Sequence, residues 1–406
     1  MSQHDTTEWS VLNKLKPFLQ EAWKQSGFQK PTNIQTEAIP TIMEKKDVIC
    51  ESPTGTGKTL AYLIPTLEKI DAESQHIQAV VIAPSRELVM QIHSEIQSWA
   101  SASDIRSASF IGGANVKKQL EKLKKRPQII VGTTGRIMEL IKAKKLKMHE
   151  VSTIVADEAD QLTLPEHRRH LEDIIKTTLK DQRQLIFFSA TIGKETERVA
   201  KEMMVSPSII KVEQNKADKL KVEHLYLVSE RREKMTMLRS ILHSFTGKTL
   251  IFVKDGETAE EVQRKLQFHH INVDILDGMS KKQEREAAMR NFRKNKVATL
   301  VVTDLAARGL DIRNVSHVIQ FDIPREYKQY VHRSGRTGRM GAMGFVISIV
   351  TQQEVRDVKR FCKELGVKAI RKNLYKGELI DHIMKKEEKG KRRSKKSLPN
   401  KKNKKS

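Results

Sequence analysis

Cysteine is almost absent from this 406-residue chain, with only Cys50 and Cys362 present. Two thiols so far apart form neither a disulfide framework nor a metal-ligand spacing, which excludes a small stapled secreted scaffold and suits a reducing compartment. Long apolar runs are missing too. No stretch approaches the roughly 18 apolar residues of a membrane span. The opening Met1-Ser2-Gln3-His4-Asp5 lacks the basic and then apolar regions of a signal peptide. The expected location is cytoplasmic, with no membrane partner. Acid is short relative to base: 75 Lys and Arg face 50 Asp and Glu, a net charge of +25. That excess predicts a polyanionic partner, nucleic acid before an acidic membrane surface. The remaining composition, 38% hydrophobic and 31% charged, is that of a folded protein with ample surface. The length exceeds what one core usually organises, so two domains plus tails are expected.

The most informative stretch is Glu51-Ser52-Pro53-Thr54-Gly55-Thr56-Gly57-Lys58-Thr59. The apolar run Val48-Ile49-Cys50 before it reads as a strand, and Leu60-Ala61-Tyr62-Leu63-Ile64 after it reads as a helix. A Gly-rich turn between strand and helix is an anion cradle, because unpaired N–H groups and the helix dipole both favour phosphate. Ser52, Pro53, Thr54, Gly55, Thr56 and Gly57 would form its wall. Lys58 would reach the β- and γ-phosphates, and the Thr59 hydroxyl would ligate Mg²⁺. Ser52 stands where the pattern G-x-x-x-x-G-K-[ST] has its first Gly. The alternative is a plain surface turn; the flanking strand and helix favour nucleoside triphosphate binding.

The chain around this loop alternates strands and helices. Residues 9–30 read as helical. Continuous apolar runs at Ala79–Ala83, Ile129–Val131, Thr153–Ala156 and Leu185–Phe188 read as parallel strands covered on both faces. The first half is thus a doubly wound α/β domain. From about Pro207 to Lys219 the pattern loosens into a polar stretch, of which residues 213–219 read as a linker. Runs at Leu225–Val228, Leu250–Val253, Val273–Leu276, Leu300–Val302, Val318–Phe321 and Phe345–Ser348 repeat the architecture without a second phosphate loop. From Lys385 onward, 12 Lys and Arg against 2 Glu leave +10. That composition cannot bury a core and predicts disorder, serving either as a solubility tail or as an RNA-tethering arm.

Asp157-Glu158-Ala159-Asp160 follows the strand Thr153–Ala156, where ligand sites of open α/β sheets lie. Acids there could simply favour a helix N-terminus. Beside a phosphate loop they suit Mg²⁺ binding, with Asp157 as the candidate, and orientation of an attacking water.

With this tetrad the chain resembles the DEAD-box RNA helicases, in their short bacterial form, from about Phe18 to beyond Arg339. The resemblance implies two tandem RecA-like domains, 1–212 (with an adenine-reading motif at about 16–36) and 220–370. The linker 213–219 would join them, and a basic tail, 371–406, would be largely disordered from 385. It implies ATP and Mg²⁺ as cofactors and RNA-stimulated ATP hydrolysis with Lys58, Asp157, Glu158, Arg336 and Arg339 as catalytic residues. The two arginines, from His332-Arg333-Ser334-Gly335-Arg336-Thr337-Gly338-Arg339, would be fingers on the γ-phosphate. Such a group is worth roughly 10³–10⁵ in rate in comparable nucleotidases. A basic Gly-rich turn could instead serve plain phosphate contact.

Gln35, in Gly27-Phe28-x-x-Pro31-Thr32-x-Ile34-Gln35, would read the adenine edge, with Phe28 stacked on the ring and Asp311 on the ribose or bridging to a finger. Ser189 and Thr191 of Ser189-Ala190-Thr191, with His332, would couple the ATP and RNA sites. Arg86, Gly113, Thr133, Arg136, Thr303 and Arg308 would hold the RNA backbone, and Gln283 and Arg285 resemble a further contact. Such contacts read no bases. Three departures stand out: Thr134 for the family's Pro, Asp277 for its usual His, and an extra residue before Arg285. The expected activity is local, non-processive unwinding of short duplexes by a monomer, with ribosomal RNA or pre-ribosomal particles as partners. The alternatives are an ATP-gated RNA clamp or scaffold, and a DNA-directed helicase on the same core.

Overall fold

The computed structural model describes residues 9–53, 55–113, 115–212, 222–278, 280, 282–307, 315–338 and 342–382. Thr54, Arg308, Asp311 and Arg339, the linker 213–219 and the stretch from Lys385 lie outside the described residues.

Two sheets, each covered by helices, make up the fold. The first holds β1 (Val48–Glu51), β2 (Ala79–Ile82), β3 (Ser107–Phe110), β4 (Ile129–Gly132), β5 (Thr153–Asp157), β6 (Gln184–Ser189) and β7 (Ser208–Lys211), in the order β3-β4-β2-β5-β6-β1-β7. The second holds β8 (Val222–Val228), β9 (Lys248–Val253), β10 (Val273–Leu276), β11 (Thr299–Thr303), β12 (Val315–Gln320), β13 (Gly344–Val350), β14 (Ala369–Tyr375) and β15 (Glu378–Asp381). Their order is β10-β11-β9-β12-β13-β8-β14-β15. All pairings are parallel except β14 with β15. The doubly wound, two-sheet class expected from the apolar runs is therefore the observed one.

The runs are continuous because each strand feeds two cores. Alternate strand side chains point to opposite faces. Val48 and Cys50 join the cluster with Leu60, Leu63 and Trp23, while Ile49 joins the one with Phe187 and Ile154. In the second sheet Leu250 and Phe252 pack with Phe292 and Tyr330, and Ile251 and Val253 with Leu238 and Val262. Cys50 is buried under the phosphate loop, and burial pushes its thiol far above its usual range.

Three expectations change. Residues 9–30 are not one helix: a 3₁₀ turn at Leu12–Lys14 precedes a helix at Pro17–Ser26. Pro17 lacks the N–H that a first helical residue leaves unused, and Gly27, at φ +73°, closes the helix in the left-handed region. The polar stretch after Pro207 begins with an edge strand, β7, whose alternating exposure hid it from a search for continuous apolar runs. The tail does not start at 371. Ala369–Tyr375 pairs with β8, Glu378–Asp381 folds back on it, and Lys372 pairs with Asp381 at 2.7 Å. Charged residues on a sheet edge had read as tail.

Candidate active site

The turn after β1 is closed by its own hydroxyls. Ser52 is fully buried; its N–H donates to the Ser189 carbonyl at 3.0 Å, and its Oγ lies 2.7 Å from Thr56 Oγ1. Thr56 Oγ1 donates to the Pro53 carbonyl at 2.7 Å. Ser52 thus replaces glycine without opening the turn, and its hydroxyl helps hold it. Gly55 and Gly57 have φ of +79° and +88°. A Cβ on Gly57 would stand 2.6 Å from Gln35 Nε2, so both dihedral and space require glycine there. Lys58 opens the helix Lys58–Lys69 and donates to the carbonyls of Ser52 (2.6 Å) and Pro53 (2.9 Å), which holds the ammonium over the cradle. Thr59 follows it, partly exposed.

Gln35 does more than face a base. Its Oε1 accepts the Thr32 N–H at 3.0 Å, completing a capping box, and its Nε2 donates to the Gly57 carbonyl at 3.2 Å. The helix Asn33–Met43 is thereby pinned to the phosphate loop. Phe28 is 37% exposed and meets Trp23 edge-on at 5.7 Å, leaving a face toward solvent.

The acids at the end of β5 lie over this loop. Asp157 accepts the Tyr62 hydroxyl on Oδ2 (2.8 Å) and the Glu158 N–H on Oδ1 (2.9 Å). Burial raises its carboxyl above the usual range, opposed first by the Lys58 charge. Glu158 adopts φ +55°, costly for a residue with a side chain and frequent at functional sites. Its Oε2 is buried without a partner. Burial pushes this carboxyl up to about 7, and the Arg336 guanidinium is the strongest opposing influence. Among the described residues no group of three His, Cys, Asp or Glu side chains is arranged to hold a metal. The residues still fit Mg²⁺ in its usual manner, with phosphate oxygens and water as most of its ligands. Thr59 and Asp157 are the side chains that could contribute.

The second domain reaches this cluster through the helix Tyr327–Ser334 and the turn after it. His332 Nε2 lies 3.7 Å from Asp160 Oδ2, and Ser189 Oγ donates to Asp160 Oδ1 at 2.6 Å. Thr191 N–H donates to Ser189 Oγ at 3.3 Å, and Thr191 Oγ1 is buried without a partner. Arg336 is buried, with Nε donating to the His332 carbonyl at 3.3 Å. Arg333 is committed elsewhere: it grips Asp304 with two bonds (2.6 and 2.7 Å) and lies over the Phe252 ring.

The expected nucleic-acid residues divide. Arg86 lies over Gly113, where a Cβ would stand 2.8 Å from both terminal guanidinium nitrogens. Thr133 caps the helix Thr134–Lys142, and Thr303 ends β11, buried. Two arginines depart from expectation. Arg136 is buried and paired with Glu139 at 3.3 Å, because it faces inward from its helix. Arg285 forms an ion pair with Glu87 of the first domain and donates to the Asp277 carbonyl at 2.7 Å. Charge attraction between the domains claims a side chain that had read as an RNA contact. Thr134 needs no proline ring, since its hydroxyl lies 3.3 Å from His167 Nδ1 and ties the turn to the helix Pro165–Lys176.

Sequence reasoning missed Glu51. Its Oε1 accepts the N–H of Ile192, the residue after Thr191, at 3.0 Å, and its charge reaches Tyr327 of the second domain. Tyr62 and Glu87 were missed as well. Only Glu51 carried a signal, its place at a strand end directly before the loop.

Residues 32–199 match the DEAD/DEAH box helicase family, and residues 233–341 the helicase conserved C-terminal domain. The chain is similar to "Probable ATP-dependent RNA helicase YfmL" of Bacillus subtilis (strain 168), 53% identical over 89% of this chain and 96% of that protein. It is similar to "DEAD-box ATP-dependent RNA helicase CshC" of Bacillus cereus, 47% identical over 91% and 95%. Among solved structures, S. cerevisiae Dbp5 bound to RNA and ADP BeF3 superposes with a TM-score of 0.81 at 28% identity, covering 89% of this chain and 95% of that one. Dbp5 in a complex with Nup159, Gle1, IP6 and ADP gives 0.63 at 28% identity, covering 88% and 95%.

Proposed function

The chain belongs to the DEAD-box ATP-dependent RNA helicases, and on that premise we propose that it pries short RNA duplexes apart locally, without sustained translocation, by closing its two domains on ATP and one strand. The observation that carries this reading is Arg336, a second-domain residue whose charge bears on Glu158 of the first. The better superposition on Dbp5 bound to RNA and ADP BeF3 than on a Dbp5 variant bound to Nup159, a Gle1 variant, IP6 and ADP supports that reading.

In this mechanism the cradle Ser52–Thr59 orients the triphosphate, and Lys58 turns from the loop carbonyls to the β- and γ-phosphates. Phe28 and Gln35 hold the adenine, and Asp311 the ribose. Thr59 and Asp157 would hold Mg²⁺, which would supply neutralisation of the charge developing on the phosphates. Glu158, its Oε2 otherwise unpartnered, holds the attacking water. Arg336 and Arg339 meet charge developing on the γ-phosphate. His332, Asp160, Ser189 and Thr191 carry the state of that site toward Arg86, Gly113, Thr133, Thr303 and Arg308, which take the RNA backbone. Contacts of that kind read sugar and phosphate, so binding is independent of sequence. We assign ribosomal RNA in assembling ribosomes as the substrate and a cytoplasmic monomer as the working form. Among the described residues no helix is long and apolar enough to cross a membrane.

The test is Glu158→Gln, assayed for RNA-stimulated phosphate release and for release of a labelled strand from a short duplex. Turnover should fall at least about 100-fold while ATP and RNA still bind. Near-normal turnover would remove Glu158 from its role. ATP-dependent RNA grip by the wild type without strand release would replace unwinding with a clamp.

A further inference from the structure

The helix Gly256–Phe268 begins just past the end of β9, on the edge of the second sheet that faces the ATP site. At 1.5 Å per residue it runs about 20 Å, so its last residue lies at the far edge, well away from the cleft. That residue, Phe268, is 79% exposed, more than any other large hydrophobic side chain among the described residues. The turn behind it is fixed: His269 N–H donates to the Leu266 carbonyl (3.0 Å), His270 N–H to the Gln267 carbonyl (2.9 Å), and Ile271 N–H returns to Leu266 (3.0 Å). The ring is thus held in water by an ordered backbone.

Phe268 borders a groove of about 410 Å³ between its helix and the helix Lys234–Ser244, lined also by Met235, Arg239, Arg264, Lys265 and His269. Among the described residues no carboxylate lines it. Glu261 engages Lys265 at 2.5 Å from one turn back, while the Arg239 guanidinium lies 2.8 Å from His269 Nε2. The rim is cationic and the floor apolar. An exposed aromatic face beside arginines is the means by which proteins hold single strands without reading them, the base on the ring and the phosphates on the cations.

We propose that this groove is a second single-stranded RNA site, which holds the strand flanking the segment in the cleft. The proposal rests on RNA being the substrate and adds a binding surface on the second domain, away from the cleft. Charge decides between occupants: Lys265 is held by Glu261, but Arg239 and Arg264 meet no lining acid, and that rim selects a polyanion, which the enzyme's own substrate is.

The experiment measures binding of full-length protein to uridine RNAs by fluorescence anisotropy, with the non-hydrolysable analogue ADP·BeF3 present. One RNA has about 8 nucleotides, enough for a single groove, and the other about 40. Phe268→Ala should weaken the long RNA about 5- to 150-fold, the range expected on removing one base stack, and leave the short one unchanged. Phe268→Trp should restore the long-RNA affinity. Arg264→Glu should lower the salt slope for the long RNA by about 0.7 for each phosphate the groove ceases to neutralise. Long-RNA affinity unchanged in Phe268→Ala would overturn the proposal and leave the groove to a protein partner. An equal loss for both RNAs would overturn it too, by assigning the effect to the core. Wild-type protein that binds neither RNA would instead defeat the RNA reading of the whole enzyme, and this site with it.

Discussion

Counted from its own first strand, each domain follows the order 3-4-2-5-6-1-7, and the second then adds one antiparallel strand. The comparison is therefore position by position. In both domains a lysine opens the helix that follows the first strand: Lys58 after β1 and Lys234 after β8. Lys58 leaves a loop with two left-handed glycines, and its ammonium donates to carbonyls of that loop. Lys234 follows Ser229-Glu230-Arg231-Arg232-Glu233, a 3₁₀ turn without glycine. Its ammonium is buried, donating to the Phe321 carbonyl at 3.0 Å and lying 3.4 Å from Glu354. One architecture thus supports two uses of the same residue. Glycine lets backbone N–H groups converge on an anion; without it the cation turns inward and becomes part of the packing.

The largest break in the comparison should come from Arg336→Ala, which removes the second domain's contribution to the first domain's site. RNA-stimulated turnover should fall by about 10³-fold or more, with ATP affinity of the first domain retained in equilibrium titration.

Substituting the two equivalent lysines separates use from packing. Lys58→Ala should abolish detectable turnover with little change in thermal stability. Lys234→Ala should leave ATP binding intact and lower stability by about 1–3 kcal/mol, because Glu354 and the Phe321 carbonyl lose their donor; denaturant unfolding measures it. Equal effects of the two substitutions on ATP binding would end the distinction.

Acid should distinguish the domains next. His224 in β8 is buried, 2.7 Å from the Tyr330 hydroxyl, and burial lowers its pKa to about 4. A histidine neutral in the fold but chargeable when unfolded contributes stability above its unfolded pKa of about 6.5. That contribution is lost as pH falls toward 4, up to a few kcal/mol. Second-domain unfolding monitored from pH 7 to 4 should steepen below 6.5, and His224→Gln should lessen the slope, leaving the share of His317, whose pKa burial also lowers to about 4.

The smallest effect should be at Glu51. Glu51→Ala removes one acceptor from Ile192 N–H and should reduce RNA stimulation of turnover about fivefold, as expected for one hydrogen bond of about 1 kcal/mol. Glu51→Gln, which keeps a carbonyl acceptor, should recover most of it while the ATP KM stays constant.

Much of the fold was legible because doubly buried strands write themselves as continuous apolar runs. The strands that escaped were β3, with two serines in Ser107–Phe110, and the strands that finish each sheet beyond its first strand, β7, β14 and β15, whose residues are largely open to water. Within the site, the cradle and the acids were legible for a different reason. Each is a contiguous stretch whose chemistry is local, so residue type and spacing suffice.

By itself, then, the sequence determined the phosphate cradle, the acidic turn, the doubled α/β architecture and a basic surface suited to a polyanion. Tertiary structure alone decided which distant charges meet. It brought the Arg336 charge to bear on Glu158, paired Arg285 with Glu87, turned Arg136 inward, and joined Glu51 to the loop after Thr191. Coulomb and hydrogen-bond energies depend on separation in space. Spacing along the chain says nothing of that separation until strand order and domain closure fix it.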